Sequence, residues 1–531
     1  MIVLLWILAL IPAGAAVAAA DETALAAALE HLAGAGLRER AEAVETLAAL
    51  DHPRVAVILQ AYLDGRLYVE RDGGEVLILA EAGAPHAAER ALDGAPRGRV
   101  DADAVKRIGS NNALRKRLRI LLALRALDAA EAAERRRAAE TLIGELDAAE
   151  AEVLRPRLES EPDRAARAAL AAAVALVDLD APESERRLAA IDTLRGRLEP
   201  QVRGALARLA ENDADPAVAA AATRALRGIQ TRLDAYAFVE KLLFGLSLGS
   251  ILVLAAIGLA ITFGVMGVIN MAHGELIMLG AYTTYAVQRL FPQWIEWSLL
   301  IAVPAAFLFS GAVGVLIERG VIRHLYGRPL ETLLATFGIS LILQQSVRSF
   351  VSAQNVAVVT PSWLSGAWQI NPVLALTYNR LWIFAFALVV FFALLALLRY
   401  TALGIEVRAV AQNRAMARAL GVRSDRVDAL TFGLGAGIAG VAGVALSQLT
   451  NVGPNLGQDY IIDSFMVVVF GGVGNLWGTL VGGLSLGVFN KFMEPVTGAV
   501  LAKILVLVFI ILFIQKRPQG VFPQRGRAAE G

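Results

Sequence analysis

Between Lys241 and Arg289 the chain runs for 47 residues with a single Asp, Glu, Lys or Arg, and that one is Glu275. About 20 apolar residues cross a bilayer as a helix, so this stretch is long enough for two crossings. Glu275 sits near their junction, in Ile269-Asn270-Met271-Ala272-His273-Gly274-Glu275. A charged side chain at mid-bilayer costs roughly 2.5 kcal/mol or more. Glu275 is therefore either a functional intramembrane group or part of a turn among the lipid headgroups.

Charge divides the chain in the same region. Of 50 Lys+Arg and 49 Asp+Glu, residues 236–531 hold 19 and 12, a net of +7; residues 1–235 keep 31 and 37, a net of −6. The first part reads as water-soluble and the second as membrane-embedded. Cysteine is absent, which excludes disulfides, zinc–thiolate sites and thiol chemistry. The five histidines (His31, His52, His86, His273, His324) lie far apart in sequence, and no metal site is expected.

Residues 1–20 carry an apolar run followed by Ala18-Ala19-Ala20 before Asp21. That is the pattern of a cleaved secretory leader, although no Lys or Arg precedes the run; an uncleaved anchor is the alternative. Either one sends residues 21–235 out of the cytoplasm. There, apolar residues fall at helical spacing (Leu25, Ala28, Leu29, Leu32; Ala41, Val44, Leu47, Leu50). Acid-and-proline turns occur at Asp51-His52-Pro53, Glu161-Pro162-Asp163 and Asp213-Ala214-Asp215-Pro216, with proline leading the next helix. Residues 162–170 and 216–226 repeat each other. The expected fold is all-α: an exported HEAT-like solenoid at 21–235, ahead of a polytopic membrane helix bundle at 236–520. A β-hairpin near 66–79, turning at Asp72-Gly73-Gly74, interrupts the solenoid as a cap or a docking edge.

Apolar spans are expected at 242–265, 266–286, 298–317, 333–351, 381–398, 429–449 and 499–514. A further run, 461–492, is broken at Gly471-Gly472-Val473-Gly474-Asn475. Interfacial aromatics mark Phe291-Pro292-Gln293-Trp294-Ile295-Glu296-Trp297 and the loop with Trp363 and Trp368. Basic residues gather at 319–328, in 399–427 and toward the tail at 521–531, and the positive-inside bias puts all three in the cytoplasm. With residue 235 outside, 461–492 must begin and end outside, as two of nine spans or as a re-entrant pair beside seven. Segment 399–427 reads as a helical docking surface. Arg414 and Arg418 share a face with Ala411, and alanines stand where a headgroup-bound helix would carry bulky aromatics.

The stretch from Ile269 to Glu275, residues 415–425 and Gly471-Gly472-Val473-Gly474 together resemble the inner-membrane permeases of branched-chain amino acid-type ABC transporters. Ala415-Met416-Ala417, with Gly421 four residues on, stands where those permeases carry a Glu-Ala-Ala-x-x-x-Gly coupling helix; the initial Glu is Ala here. The exported domain makes the chain most similar to the urea permeases of the UrtB type. The resemblance implies a non-enzymatic, multi-pass transport subunit of the bacterial inner membrane, moving urea or a similar small amide, with no cofactor and no nucleic-acid partner. Two cytoplasmic ATPases would dock at Arg408, Arg414, Ala415, Ala417, Arg418 and Gly421. A second permease and an exported binding protein would complete the complex. The chain has no G-x-x-x-x-G-K-[ST] loop with which to hold ATP itself.

Two helix breaks, one with Gly264, Gly267 and Gly274 and the other with Gly471, Gly472 and Gly474, are expected to line the passage. Unwound backbone in a membrane is tolerated where it faces a cavity; close helix packing is the other reading of these glycines. The candidate pathway residues are Asn270, His273, Glu275 and Asn475, followed by Gln344, Gln345 and Arg348. One alternative is a permease for branched-chain or other amino acids, with Glu275 and Arg348 as the charge pair for a zwitterion. Another is a stand-alone channel or carrier with an exported sensory domain.

Overall fold

The computed structural model describes residues 11–81 and 86–523; the expected leader as far as residue 10 and the tail beyond 523 lie outside the described residues. The chain forms two compact units, Met1–Arg232 and Leu233–Gly531.

The first unit opens on helices α1 (Ile11–Gly34), α2 (Arg40–Ala48) and α3 (Arg54–Leu63). The stripes of Leu25, Leu29, Leu32, Val44, Leu47, Ile58 and Leu59 close into one core, as apolar faces at helical spacing must. The strands after α3 overturn the all-α expectation. The hairpin is present, with β1 (Leu67–Glu70) antiparallel to β2 (Val76–Leu79) and Tyr68 opposite Leu77. Three more strands, β3 (His86–Arg90), β4 (Pro96–Val100) and β5 (Val105–Arg107), extend it to a five-stranded antiparallel sheet ordered β4-β3-β2-β1-β5. Residues 22–107 are a mixed α/β domain, not part of a HEAT-like solenoid.

The reason lies in the strands. β1 and β2 form the expected hairpin; β3 to β5 were not expected. β3 and β4 read His-Ala-Ala-Glu-Arg and Pro-Arg-Gly-Arg-Val, which have little intrinsic strand preference. Pairing with neighbours overrides that local bias. Their turn is held by left-handed Gly94 (φ 78°) and by Asp93, whose Oδ1 accepts a hydrogen bond from the Ala95 amide at 3.0 Å.

Helices α4 (Asn112–Ala126), α5 (Ala132–Thr141), α6 (Ala148–Ser160), α7 (Arg164–Asp178), α8 (Ser184–Thr193) and α9 (Pro200–Asn212) come next. One set of contacts occurs twice along them. Arg135 pairs with Glu161 at 3.0 Å and donates to the Ala129 and Ala130 carbonyls at 2.9 Å. Arg187 pairs with Asp213 at 2.9 Å and donates to Ala181 and Pro182 at 2.9 Å. Each guanidinium ties the start of its helix to the turn that ends the next one.

Helix α10 (Pro216–Met266) leads into the second unit. Beyond it lie α11 (His273–Leu290), α12 (Ser298–Gly320), α13 (Pro329–Phe350), α14 (Tyr378–Tyr400), the short α15 (Ala402–Gln412) and α16 (Arg414–Ala419), then α17 (Ser424–Ser447), α18 (Leu456–Gly471), α19 (Leu476–Thr497) and α20 (Ala499–Lys516). Among the described residues six helices are long and apolar enough to cross a membrane: Pro216–Met266, Pro292–His324, Pro329–Phe350, Tyr378–Tyr400, Ser424–Ser447 and Ala499–Lys516. The chain is a multi-pass membrane protein. The long run at 461–492 divides between α18 and α19 at a turn over residues 472–475.

Helix α17 is buried over almost its whole length, against α11 and α12. Glycine makes that possible. A Cβ added to Gly280 of α11 would fall on the carbonyl of Gly440, and one added to Gly258 of α10 on that of Gly435. Small residues at such crossings let backbones touch. On α13 the ordinary distribution is inverted: Thr332, Thr336, Ser340 and Gln344 are buried while Leu330, Leu334, Ile342 and Phe350 are exposed. Polar side chains inside and apolar ones outside are what a lipid surround demands.

Candidate functional site

The site grows from the gap between α10 and α11. Helix α10 stops at Met266 because Gly267 is left-handed (φ 63°). Asn270 then folds the connection back on itself, its Oδ1 accepting from the Ala272 amide at 3.0 Å. The Met271 amide donates to Thr336 Oγ1 of α13 at 3.1 Å, which fixes the loop against that helix.

His273 and Glu275 lie in the first turn of α11, both essentially without exposure. They face different partners. The imidazole Nε2 lies 2.8 Å from the Ala255 carbonyl; a carbonyl only accepts, so Nε2 carries the proton, and Nδ1 is left as a buried acceptor without a partner. Glu275 Oε1 accepts from Ser340 Oγ and Gln344 Nε2, each at 3.0 Å. Its Oε2 is buried and bonded to nothing, as is Asn270 Nδ2. Three nearby positions of one break thus offer a free donor and two free acceptors.

The other expected residues divide. Arg348, one turn beyond Gln344 on α13, donates to Asn455 Oδ1 at 2.7 Å and is exposed. Gln345 points away and donates to Ser349 at 3.4 Å. Asn475 caps α19, accepting from the Gly478 amide at 3.1 Å and donating to the Phe522 carbonyl at 3.3 Å. It belongs with the 520–522 segment, whose Val521 and Phe522 amides bond the Phe470 and Gly471 carbonyls. The six glycines also split: Gly267, Gly472 and Gly474 take positive φ. Gly264, Gly274 and Gly471 instead press backbone to backbone on Gly474, Gly457 and Gly478. The Gly264–Gly474 contact brings the two breaks together.

Ser340 and Thr336 are absent from the sequence-derived set. Their signal was present in the i, i+4 series Thr332-Thr336-Ser340-Gln344 on an apolar span. A second omission is Asp463 of α18, buried and 3.2 Å from Lys503 Nζ of α20.

In the 399–427 segment Arg408, Arg414 and Arg418 bond to their own chain. Arg408 donates to the Leu398 carbonyl at 2.6 Å. Arg414 makes two bonds to buried Asp428, at 2.7 and 2.9 Å, and lies 4.4 Å over the Tyr326 ring. Arg418 bonds Ser424 and Asp425 at 2.6 and 2.9 Å. Ala417 is buried against Val407, Val410 and Val427. Ala415 is exposed, left-handed Gly421 (φ 90°) ends the turn, and the apolar Ile405, Met416 and Leu420 are exposed beside Arg408, Arg418, Arg423 and Arg426. Among the described residues no group of three or more His, Asp or Glu is placed to hold a metal ion.

Residues 241–514 match the family described as "Branched-chain amino acid transport system / permease component". The chain is similar to the high-affinity branched-chain amino acid transport system permease protein BraD of Pseudomonas aeruginosa, 32% identical over 297 residues that cover 54% of this chain and 96% of that one. It is 32% identical over 294 residues to the corresponding protein LivH of Escherichia coli, covering 54% and 95%. It is 27% identical over 251 residues to the ribose import permease protein RbsC of Escherichia coli, covering 46% and 74%. No solved structure matches the chain.

Proposed function

The chain belongs to the branched-chain amino acid transport permease family, and from that premise we propose that its membrane unit passes an aliphatic amino acid across the bilayer by way of Glu275, Gln344 and Arg348. It is a membrane-spanning permease subunit of an ABC importer, with a transport role and not a catalytic one. The observation that carries the amino-acid reading is the state of Glu275: one oxygen fully bonded and the other buried and free. Taking a carboxylate out of water costs several kcal/mol unless a partner compensates. A substrate ammonium arriving at Oε2 supplies that partner, and Arg348, a turn further along α13, suits the substrate carboxylate. Urea is neutral and has no use for either charge. The amino-acid alternative therefore replaces urea as the favoured substrate class, in keeping with what BraD and LivH are named for.

Family membership implies a paired permease, ATPase subunits and a substrate-binding protein. The exposed Ile405, Met416 and Leu420, set among exposed Arg408 and Arg418, support 399–427 as the ATPase dock. The basic loops support a cytoplasmic side for that segment and for the C-terminus; residues 21–235 then lie on the outer side, behind a leader at 1–20. Uptake of labelled leucine and labelled urea, in cells with and without the chain, tests the substrate. Leucine uptake is expected to disappear and urea uptake to persist; the reverse pattern sinks the proposal.

A further inference from the structure

Two aromatic stretches that the transport site leaves unused meet in space. The 3-10 turn Pro292–Trp297, the turn Ser362–Leu364 and the start of α14 enclose a cleft of about 420 Å³ lined by Glu296, Trp297, Leu300, Trp363 and Trp382. Trp363 and Trp382 stand edge to face, with centroids 5.7 Å apart and planes at 89°. The Trp363 indole is held in place by its Nε1, which donates to the Glu296 carbonyl at 2.9 Å. The Glu296 carboxylate accepts from the Ser362 amide and hydroxyl at 3.1 and 2.8 Å. Among the described residues no Lys, Arg or His forms an ion pair with it. The arginines that border these elements are turned elsewhere, Arg289 over Tyr285 and Arg380 over Phe244.

We infer that this cleft binds the ammonium headgroup of a bilayer aminophospholipid. Indole faces attract cations through the negative face of the ring, and a fixed, uncompensated carboxylate selects positive charge. The occupant is a lipid because of where the cleft opens. Trp297, Leu300 and Trp382 are all more than half exposed. They stand at the ends of α12 and α14, which carry apolar side chains onward into the membrane, where tryptophan marks the headgroup level. A headgroup seated among the indoles leaves its acyl chains running along Leu300 and the helix below.

The test uses the full-length protein solubilised with equal amounts of phosphatidylethanolamine and phosphatidylglycerol, and reads retained lipid by native mass spectrometry. Both lipids carry a phosphate; beyond it one headgroup ends in an ammonium and the other in two hydroxyls. Wild type is expected to retain phosphatidylethanolamine about tenfold over phosphatidylglycerol. Glu296→Gln, which keeps an acceptor for Ser362, and Trp382→Leu should each bring that ratio close to one. Trp477→Leu, at an exposed tryptophan outside the cleft, should leave it unchanged. Equal retention by wild type overturns the inference and leaves an ordinary aromatic belt. A preference untouched by Glu296→Gln and Trp382→Leu also overturns it. Saturable quenching of tryptophan fluorescence by free ethanolamine, with no lipid preference, would assign the cleft to a soluble ammonium compound instead.

Discussion

Glu275 is held by residues far along the chain, not by its sequence neighbours. Asn270 and His273 stand beside it in sequence, yet one serves its own loop and the other reaches Ala255. The hydrogen bonds come from Ser340 and Gln344, 65 and 69 residues away. That arrangement separates the charge of Glu275 from its role in packing. Glu275→Gln keeps an oxygen for both donors and removes only the charge. Leucine uptake is expected to fall by about tenfold or more, the scale of losing a buried charge partner, with the amount of protein in the membrane unchanged. Glu275→Ala strands two buried donors at about 1–3 kcal/mol each, so membrane abundance should fall as well. Uptake normalised to immunoblot signal distinguishes the two, and wild-type uptake by Glu275→Gln would remove the carboxylate from the substrate path.

At the scale of elements, what could be read from the sequence depended on whether a local pattern sets the structure. Six of the expected spans were legible because about 20 apolar residues in lipid have no choice but to form a helix. The one expected at 266–286 begins only at His273 and is not among the six. The break in 461–492 was legible from its glycines. The close packing of Gly264, Gly274 and Gly471 was not, because a glycine that bends the chain and one that admits a neighbour look alike in one dimension. Strands β3 to β5 were hidden for the related reason that their stability comes from pairing and not from residue preference. The coupling segment shows the same limit. Its arginines read as a docking face; the structure leaves Arg408 and Arg418 exposed while bonding them to Leu398 and Asp425, and it adds exposed Met416 and Leu420, which the sequence reading did not single out. Leu420→Asp should therefore abolish substrate-stimulated ATP hydrolysis in the assembled transporter without lowering the amount of permease in the membrane. Measuring ATPase rate against substrate in reconstituted complex checks this; unchanged stimulation would mean that the dock lies elsewhere.

At the scale of the whole molecule, the charge asymmetry that separates the two halves of the sequence also gives them different sensitivities. The membrane unit relies on apolar surface and on few charges, but the first unit fastens its helices with arginine–carboxylate pairs such as Arg135–Glu161 and Arg187–Asp213. If residues 21–235 are exported, as proposed, those pairs meet the pH of the medium. Hydrogen bonding by the Arg135 guanidinium holds the Glu161 carboxyl below its ordinary value of 4.5. A group whose folded value is depressed contributes stability that is fully present above its unfolded value and is lost as pH falls through the folded one. Protection of amides in α5 to α7 should therefore be flat from neutral pH down to about 5 and decline below the ordinary carboxylate value. Arg135→Met leaves Glu161 without its guanidinium partner and should lower that protection near neutral pH. The double change Arg135→Met with Glu161→Leu removes both charges and should recover most of that loss while flattening the acid response. Hydrogen exchange on the full-length protein, corrected for the intrinsic rate at each pH, measures all three; an acid response that survives in the double variant would place the sensitivity in another pair.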